Sequence, residues 1–281
     1  MYIHLMEMSP RPEDALRVGD WLLDLVPDAG HLRHMPTHLD VLCGDYRRVV
    51  SANTAAIAAD EKFRDRAGAM NFYTLYRVHN YHFKIYGAMF LGQAQTALAT
   101  ADQLVAAIPD DLLRVQVPPM ADWLEGFLPM KMHVLIRFGR WPDIIDTPLP
   151  ADPELYCVST AMIRYAQGVA CAASGRVGEA AEHRAQFEGA VERVPETRTV
   201  FNNTCRSASS GSSSRSPPRT RTCRSGHPAT AGPPPRLRND RLATAVPIEC
   251  RGRGSDEFRT RWHSAPGRAV EPVREHGRAG R

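Results

Sequence analysis

Residues 30–61 have the sequence GHLRHMPTHLDVLCGDYRRVVSANTAAIAADE, which predicts two helices joined at Gly44. Glycine permits the left-handed backbone of a tight turn between antiparallel helices. The first helix carries three histidines. The second helix carries an alanine-rich apolar stripe with the period of one helix face. This helix pair is the unit from which we predict the fold.

The same unit recurs along the chain. Each candidate loop glycine is followed, five positions later, by a small or apolar residue. The pairs are Gly44 and Val49, Gly92 and Ala97, Gly139 and Ile144, and Gly175 and Ala180. In the opening unit Pro10 takes the place of the glycine, five residues before Ala15. We therefore predict an all-α fold built from antiparallel helix pairs over residues 1–200.

A helix pair with small residues at these offsets resembles the tetratricopeptide repeat. The runs YIHLMEMSP (2–10), HLRHMPTH (31–38) and YRVHNYHF (76–83) are similar to a group of large tetratricopeptide proteins of bacteria and fungi. The resemblance implies an α-solenoid in which the first helix of each pair lines a concave groove, and it implies no particular reaction. Because residues 1–8 begin inside a helix pattern, we expect the repeat array to start upstream of Met1.

Seven histidines share one register relative to these loops. They lie 13, 10 or 6 residues before the loop position of their unit, and they are His4, His31, His34, His38, His79, His82 and His133. The three offsets span about 60° of arc on a helix, so each helix presents its histidines on one face. In the repeat family this face lines the groove. Glu7 falls on the same face as His4, and Tyr86 occupies the 6-residue offset in its own unit.

Imidazole is a common ligand of zinc, iron, copper and nickel, so this face is a candidate metal site. The candidate ligands are His4, Glu7, His34, His38, His79 and His82, and the ion is zinc or iron. We expect His31, Tyr86 and His133 to contact a ligand bound in the groove. The alternative is that these histidines pack or hydrogen-bond against neighbouring helices without any ion.

Two functions of different class remain open at this point. The first is a binding or scaffold protein that holds a protein, a peptide or a small molecule in its groove, which is the usual role of a repeat protein. The second is a metal-dependent enzyme, a hydrolase or an oxidoreductase, with its ligands in the same groove. The sequence contains no phosphate loop, nucleotide fingerprint or serine nucleophile elbow, and no catalytic residue is assigned.

Residues 206–281 differ in kind from the rest of the chain. They contain 16 Arg and 6 acidic residues, whereas residues 1–205 contain 19 basic and 25 acidic residues. A segment rich in Arg, Pro, Ser and Gly buries too little apolar surface to offset its ordering entropy, which predicts a disordered tail. A second interpretation is that a frameshift in GC-rich DNA produced this segment. It has no nucleic-acid-binding motif, so we expect no specific nucleic-acid partner.

Residues 1–8 lack the basic region and the length of a signal peptide, and no run approaches 18 apolar residues. The cysteines form no C-x-x-C pair, and without a signal peptide we expect a reducing compartment and therefore no disulfides. These features predict a cytoplasmic protein with no membrane partner. They do not predict its oligomeric state.

Overall fold

The computed structural model describes residues 1–201 and the backbone of residues 203–204. Helices dominate this part of the chain, and its only strands are two residues long, which confirms the all-α prediction. The tail predicted at 206–281 lies outside the described residues. None of the described helices combines the length and the hydrophobicity that a membrane crossing requires.

The helices follow one another with short connections. In chain order they are α1 (Tyr2–Glu7), α2 (Leu16–Leu25), α3 (Gly30–His34), α4 (Thr37–Cys43), α5 (Tyr46–Ala67), α6 (Thr74–Phe90), α7 (Ala94–Ala106), α8 (Asp110–Leu113), α9 (Met120–Leu124), α10 (Met130–Arg137), α11 (Trp141–Ile145), α12 (Cys157–Ala173) and α13 (Val177–Val191). Short 3₁₀ helices span Pro12–Ala15 and Glu125–Phe127, and strands β1 (Thr199–Val200) and β2 (Asn203–Thr204) pair antiparallel.

The predicted loop glycines all lie between helices. Gly44, Gly92, Gly139 and Gly175 have φ angles of 81°, 72°, 65° and 77°, in the region that glycine reaches without steric cost. They connect α4 to α5, α6 to α7, α10 to α11 and α12 to α13. The residues five positions after the first three glycines are fully buried, whereas Ala180 is partly buried. The sequence register therefore locates the turns and most of the packing positions.

Each helix packs mainly against helices close to it in the chain. Helix α5 contacts α3, α4 and α6, helix α7 contacts α6 and α10, and helix α12 contacts α10, α11 and α13. The largest apolar cluster of the described residues extends from α6 and α7 through residues 107–134, and Val78, Ile85, Leu104 and Phe127 are fully buried in it. This arrangement sets α3, α4 and α6 next to one another around α5.

Proline interrupts two helical stretches of the chain. Residues 120–137 form α9, the 3₁₀ helix and α10 in succession, and α10 begins directly after Pro129, which has no N–H to donate. The helix predicted over 30–43 is divided at Pro36. However, Met35 and Pro36 keep right-handed helical dihedrals, so the chain kinks and continues.

The segment after α13 returns across the helices, which the sequence does not predict. The Thr199 hydroxyl donates to the backbone oxygen of Asp122 over 2.8 Å, and the Arg198 guanidinium donates to the backbone oxygen of Leu155 over 3.1 Å. A Cβ on Gly126 would lie 2.2 Å from the Thr199 oxygen. The absence of a side chain at Gly126 therefore lets β1 lie directly against the 3₁₀ helix.

Candidate metal centre and groove

His34 and His38 face each other inside the protein. The helical path through Met35 and Pro36 keeps these residues four positions apart on one face, although they belong to α3 and α4. Their Nε2 atoms are 3.0 Å apart. His34 has no exposed surface and His38 is 8% exposed. The resemblance to the repeat family implied that this face lines a groove. His34 and His38 are instead part of the core, because α5 and α6 cover them.

The outer nitrogen of each ring already has a partner. His34 Nδ1 lies 2.8 Å from Asn53 Oδ1, and His38 Nδ1 lies 2.9 Å from Glu7 Oε1. Both oxygens only accept hydrogen bonds, so both Nδ1 atoms carry the proton. In the neutral rings, the lone pairs of the two Nε2 atoms then point at each other, and a proton or a cation is needed between them.

The orientation of the Asn53 side chain is fixed by its other contacts. Its Nδ2 donates to the Val49 backbone oxygen over 2.8 Å and to the Thr37 hydroxyl over 3.2 Å. The Thr37 hydroxyl in turn donates to the His34 backbone oxygen over 2.7 Å. Because the amide nitrogen is used in this way, the oxygen of Asn53 must face His34. The fully buried Asn53 thus selects the tautomer of His34.

A third imidazole comes from α6. A ring nitrogen of His79 lies within 4.8 Å of ring nitrogens of both His34 and His38. The Nδ1 atom of His79 is itself buried and has no hydrogen-bond partner in the described chain. Phe83, one turn further along α6, packs against all three imidazoles at centroid distances of 4.6–4.8 Å. Three nitrogens therefore converge in a site walled by an aromatic ring.

Burial keeps two of these rings uncharged. Desolvation, with added repulsion from neighbouring histidines, lowers the pKa of His79 to about 2 and that of His34 well below its usual 6.5. Neutral imidazole is the form that binds a metal ion. His34 and His79 are therefore held in the ligating form across the physiological pH range.

Glu7 joins His38 to His4 at the edge of the protein. Its Oε1 faces His38 Nδ1, and its Oε2 lies 3.2 Å from His4 Nδ1. Burial alone would raise the pKa of Glu7, but its contacts with His38 and His4 outweigh burial and lower the pKa. His4, Glu7 and His38 form a second group whose potential ligand atoms lie within 4.8 Å of one another. His4 is 46% exposed and Glu7 is 32% exposed.

His31 lies beside the first cluster without joining it. Its ring stacks on His34 at 5.6 Å and meets the edge of Tyr76 at 4.6 Å. Its Nδ1 is buried without a hydrogen-bond partner, and desolvation together with nearby histidines lowers its pKa to about 4. Its position is compatible with the predicted role of contacting a bound ligand.

His82 does not lie with the other predicted metal ligands. It is one turn beyond His79, about 4.5 Å further along the helix axis, and this step carries it to α10. It lines a cavity of about 400 Å³, whose other lining residues are Val41, Phe83, Tyr86, Met89, Met130, His133 and Phe201. The groove residues Tyr86 and His133 thus meet His82 and not His34.

This cavity is apolar, and Phe201 of the returning segment forms part of its wall. The Phe201 ring stacks on His82 with a centroid distance of 4.4 Å and an interplanar angle of 6°. Phe201 also lies 5.8 Å from the ring of His133. Burial, with repulsion from His133, lowers the pKa of His82 to about 3, so its imidazole is neutral here.

Sequence reasoning missed Asn53, Phe83 and Phe201 as parts of these sites. Asn53 carried a usable signal, since it is a polar residue among the buried alanines Ala52, Ala56 and Ala59 of α5. Phe83 follows His79 at the helical spacing of four. Phe201 carried no such signal, because it lies beyond the last helix pair.

The chain was also compared with protein-family models, with curated proteins and with solved structures. None of these comparisons gave a match.

Proposed function

We propose that this chain is a helical-repeat protein of the tetratricopeptide type that binds a divalent transition-metal ion, zinc or iron, through His34, His38 and His79. One observation carries the proposal. The two Nε2 atoms lie 3.0 Å apart with both Nδ1 atoms already hydrogen-bonded, and a third imidazole nitrogen lies within 4.8 Å. A shared proton would satisfy two nitrogens, whereas a metal ion satisfies all three.

The distances are close to those of a metal site. Two nitrogens, each about 2.0–2.1 Å from a tetrahedral zinc ion, lie about 3.3 Å from each other. The 3.0 Å separation between His34 and His38 is near this value. Ligating histidines usually donate their other N–H to a carboxylate or an amide oxygen, and here Glu7 and Asn53 accept those protons.

The repeat type is supported by the positions of the turns and of the buried small residues. Each loop glycine has positive φ, and Val49, Ala97 and Ile144 are fully buried at the same offset. In a solenoid of this kind successive first helices lie side by side. That relation explains how the groove faces of residues 30–43 and α6 bring histidines from different units together.

Three protein ligands leave a coordination position for water or a substrate, which is the arrangement of catalytic rather than structural zinc. This supports the metal-dependent enzyme among the two functions that the sequence left open. An ion here would polarise a bound carbonyl or lower the pKa of a bound water. The aromatic wall of Phe83 would exclude bulk water and strengthen both effects.

The proposal is tested by metal analysis of the full chain. Chelator-treated protein is titrated with Zn²⁺ by calorimetry, and bound metal is measured after gel filtration. We expect stoichiometric binding that His79→Gln weakens at least tenfold, while His183→Gln, at a distant histidine on α13, has no effect. Circular dichroism must show equal helix content in both variants. Absence of stoichiometric zinc in the unaltered chain would overturn the proposal.

A second candidate function is binding of an apolar group from a peptide or a small molecule in the cavity of about 400 Å³. The apolar wall of this cavity, with His82 and His133 as its polar groups, favours it. The fluorescent dye 1-anilinonaphthalene-8-sulfonate is a suitable probe. We expect Val41→Trp, which fills the cavity, to abolish dye binding, and Val177→Trp, at an exposed position, to leave it unchanged. Equal binding by both variants would exclude the cavity.

A further inference from the structure

His38 belongs to both histidine clusters, and its two nitrogens point in opposite directions. Its Nε2 faces His34 at 3.0 Å, and its Nδ1 faces Glu7 at 2.9 Å. The first cluster, His34, His38 and His79, is enclosed. The second cluster, His4, Glu7 and His38, reaches the surface. One imidazole ring therefore lies between two groups that each have three potential metal ligands.

The second group has the composition of a metal site in its own right. Its two histidines and one carboxylate form a donor set that suits iron and zinc. The two oxygens of Glu7 are each within 3.2 Å of a histidine nitrogen, and the rings of His4 and His38 are 5.0 Å apart in an edge-to-face arrangement. The three side chains thus already converge.

We propose that a second divalent transition-metal ion binds to His4, Glu7 and His38, and that the imidazole ring of His38 joins the two ions. Nε2 binds the inner ion and Nδ1 binds the outer ion. This inference rests on the proposed function, because it needs the inner ion. It changes the role of Glu7 from an acceptor of the His38 proton to a ligand.

The binding step balances in protons and charge. In the one-ion state, Nδ1 of His38 carries a proton and donates a hydrogen bond to Glu7. When the outer ion binds, this N–H bond breaks, a nitrogen–metal bond forms, and the proton leaves to solvent. The imidazolate ring and the Glu7 carboxylate each carry one negative charge. Together they offset two of the four positive charges of the two metal ions.

The two positions differ in their access to solvent. His34 is fully buried, whereas His4 is 46% exposed and Glu7 is 32% exposed. His4 also lines an apolar hollow of about 600 Å³, together with His31, Trp21, Leu25 and Met35 among others. We therefore expect the outer ion to exchange faster and to be the ion that meets a bound ligand.

Metal stoichiometry distinguishes the outcomes. The chelator-treated full chain is titrated with Zn²⁺, and we expect two equivalents, falling to one in His4→Ala and unchanged in His183→Ala. His4 is exposed, so this substitution does not endanger folding. One equivalent in the unaltered chain that His79→Gln weakens and His4→Ala leaves unchanged overturns the second ion and leaves the proposed function standing. Zero equivalents overturn both.

The shared ring has its own test with Cu²⁺ as the probe. Two copper ions joined by an imidazolate couple magnetically, so the electron paramagnetic resonance signal of the doubly loaded chain should be far weaker than that of two isolated ions. In His4→Ala the single remaining ion should give a full uncoupled signal. Two bound copper ions with fully additive signals would show that His38 does not bridge them.

Discussion

Asn53 Oδ1 accepts the Nδ1 proton of His34 across 2.8 Å, although the two residues lie on different helices. Because Nδ1 carries the proton, the free lone pair of the His34 ring is on Nε2. Asn53 is not itself a metal ligand, yet it determines which nitrogen of His34 faces the metal position.

Replacement of Asn53 by Ala should lower zinc affinity about 10- to 100-fold without changing the number of ions bound, as loss of an outer hydrogen-bond partner usually does. Calorimetric titration measures this change. Asn80→Ala is the matched control, because Asn80 is equally buried but donates to Asp60. If both variants lose stability while only Asn53→Ala loses affinity, the orienting role holds. Equal zinc affinity in the two variants would contradict it.

Gly30→Ala should destabilise the fold by about 1–3 kcal/mol, because overpacking forces neighbouring groups apart. A Cβ there would lie 2.1 Å from Asp60 Oδ1 and 2.6 Å from the Ala56 backbone oxygen. Gly178→Ala in α13 meets nothing within 4 Å, and should be neutral or stabilise by up to about 1 kcal/mol. Urea denaturation of the two variants measures both effects. A neutral Gly30→Ala would mean that α3 and α5 are not packed this closely.

The metal-free chain should lose stability in mild acid. The pKa of His82 is about 3 in the folded state and about 6.5 in an unfolded chain, so the unfolded state binds more protons between these values. The free energy of unfolding is therefore unaffected above pH 6.5. It falls as the pH drops from 6.5 towards 3, by up to about 1.4 kcal/mol per pH unit for this one group. The lowered pKa of His31 acts in the same direction.

His82→Phe removes this proton uptake while keeping an aromatic ring against Phe201. Thermal melts at pH 7.5 and pH 5, both with chelator, should show a smaller loss of stability on acidification in His82→Phe than in the unaltered chain. His183→Gln serves as the comparison, since that histidine is more exposed. An identical acid loss in all three proteins would show that His82 is not buried as a neutral ring.

A chain that ends at residue 205 should melt like the full chain, because the predicted disordered tail contributes no packing. A chain that ends at residue 195 should lose about 2 kcal/mol or more, since it gives up the buried Val200 side chain and the hydrogen bonds of Arg198 and Thr199. Thermal melts of the three lengths give the comparison. A large drop on removal of 206–281 alone would contradict the prediction of a disordered tail.

The sequence predicted the turns well because their cause is local. Gly44 and Gly92 adopt positive φ, a conformation that glycine reaches more readily than any other residue, and the apolar spacing around them has the period of one helix face. The register of the histidines followed from the same local rule. It placed the histidines of residues 31–38 and of α6 in one register, and potential ligand atoms of His34, His38 and His79 lie within 4.8 Å of one another.

The features that the sequence did not predict depend on distances between helices. The assignment of His82 to the cavity with Met130 and His133 depends on where α10 packs, which no local pattern specifies. The burial of His34 depends on how closely α5 and α6 approach α3. The packing of Phe201 on His82 joins residues that are more than a hundred positions apart in the chain, and it needs the space that Gly126 leaves for β1.

His79 lies on a different helix pair from His34 and His38. An ion bound by all three residues would therefore affect how cooperatively the chain unfolds. In the repeat array that we propose, each unit touches only its neighbours, and stability passes along the chain through the interfaces between units. An ion bound by all three residues would stabilise one such interface. The free energy of this stabilisation depends on the free ion concentration. Metal supply would then decide whether the first units unfold together with the rest of the array or separately from it.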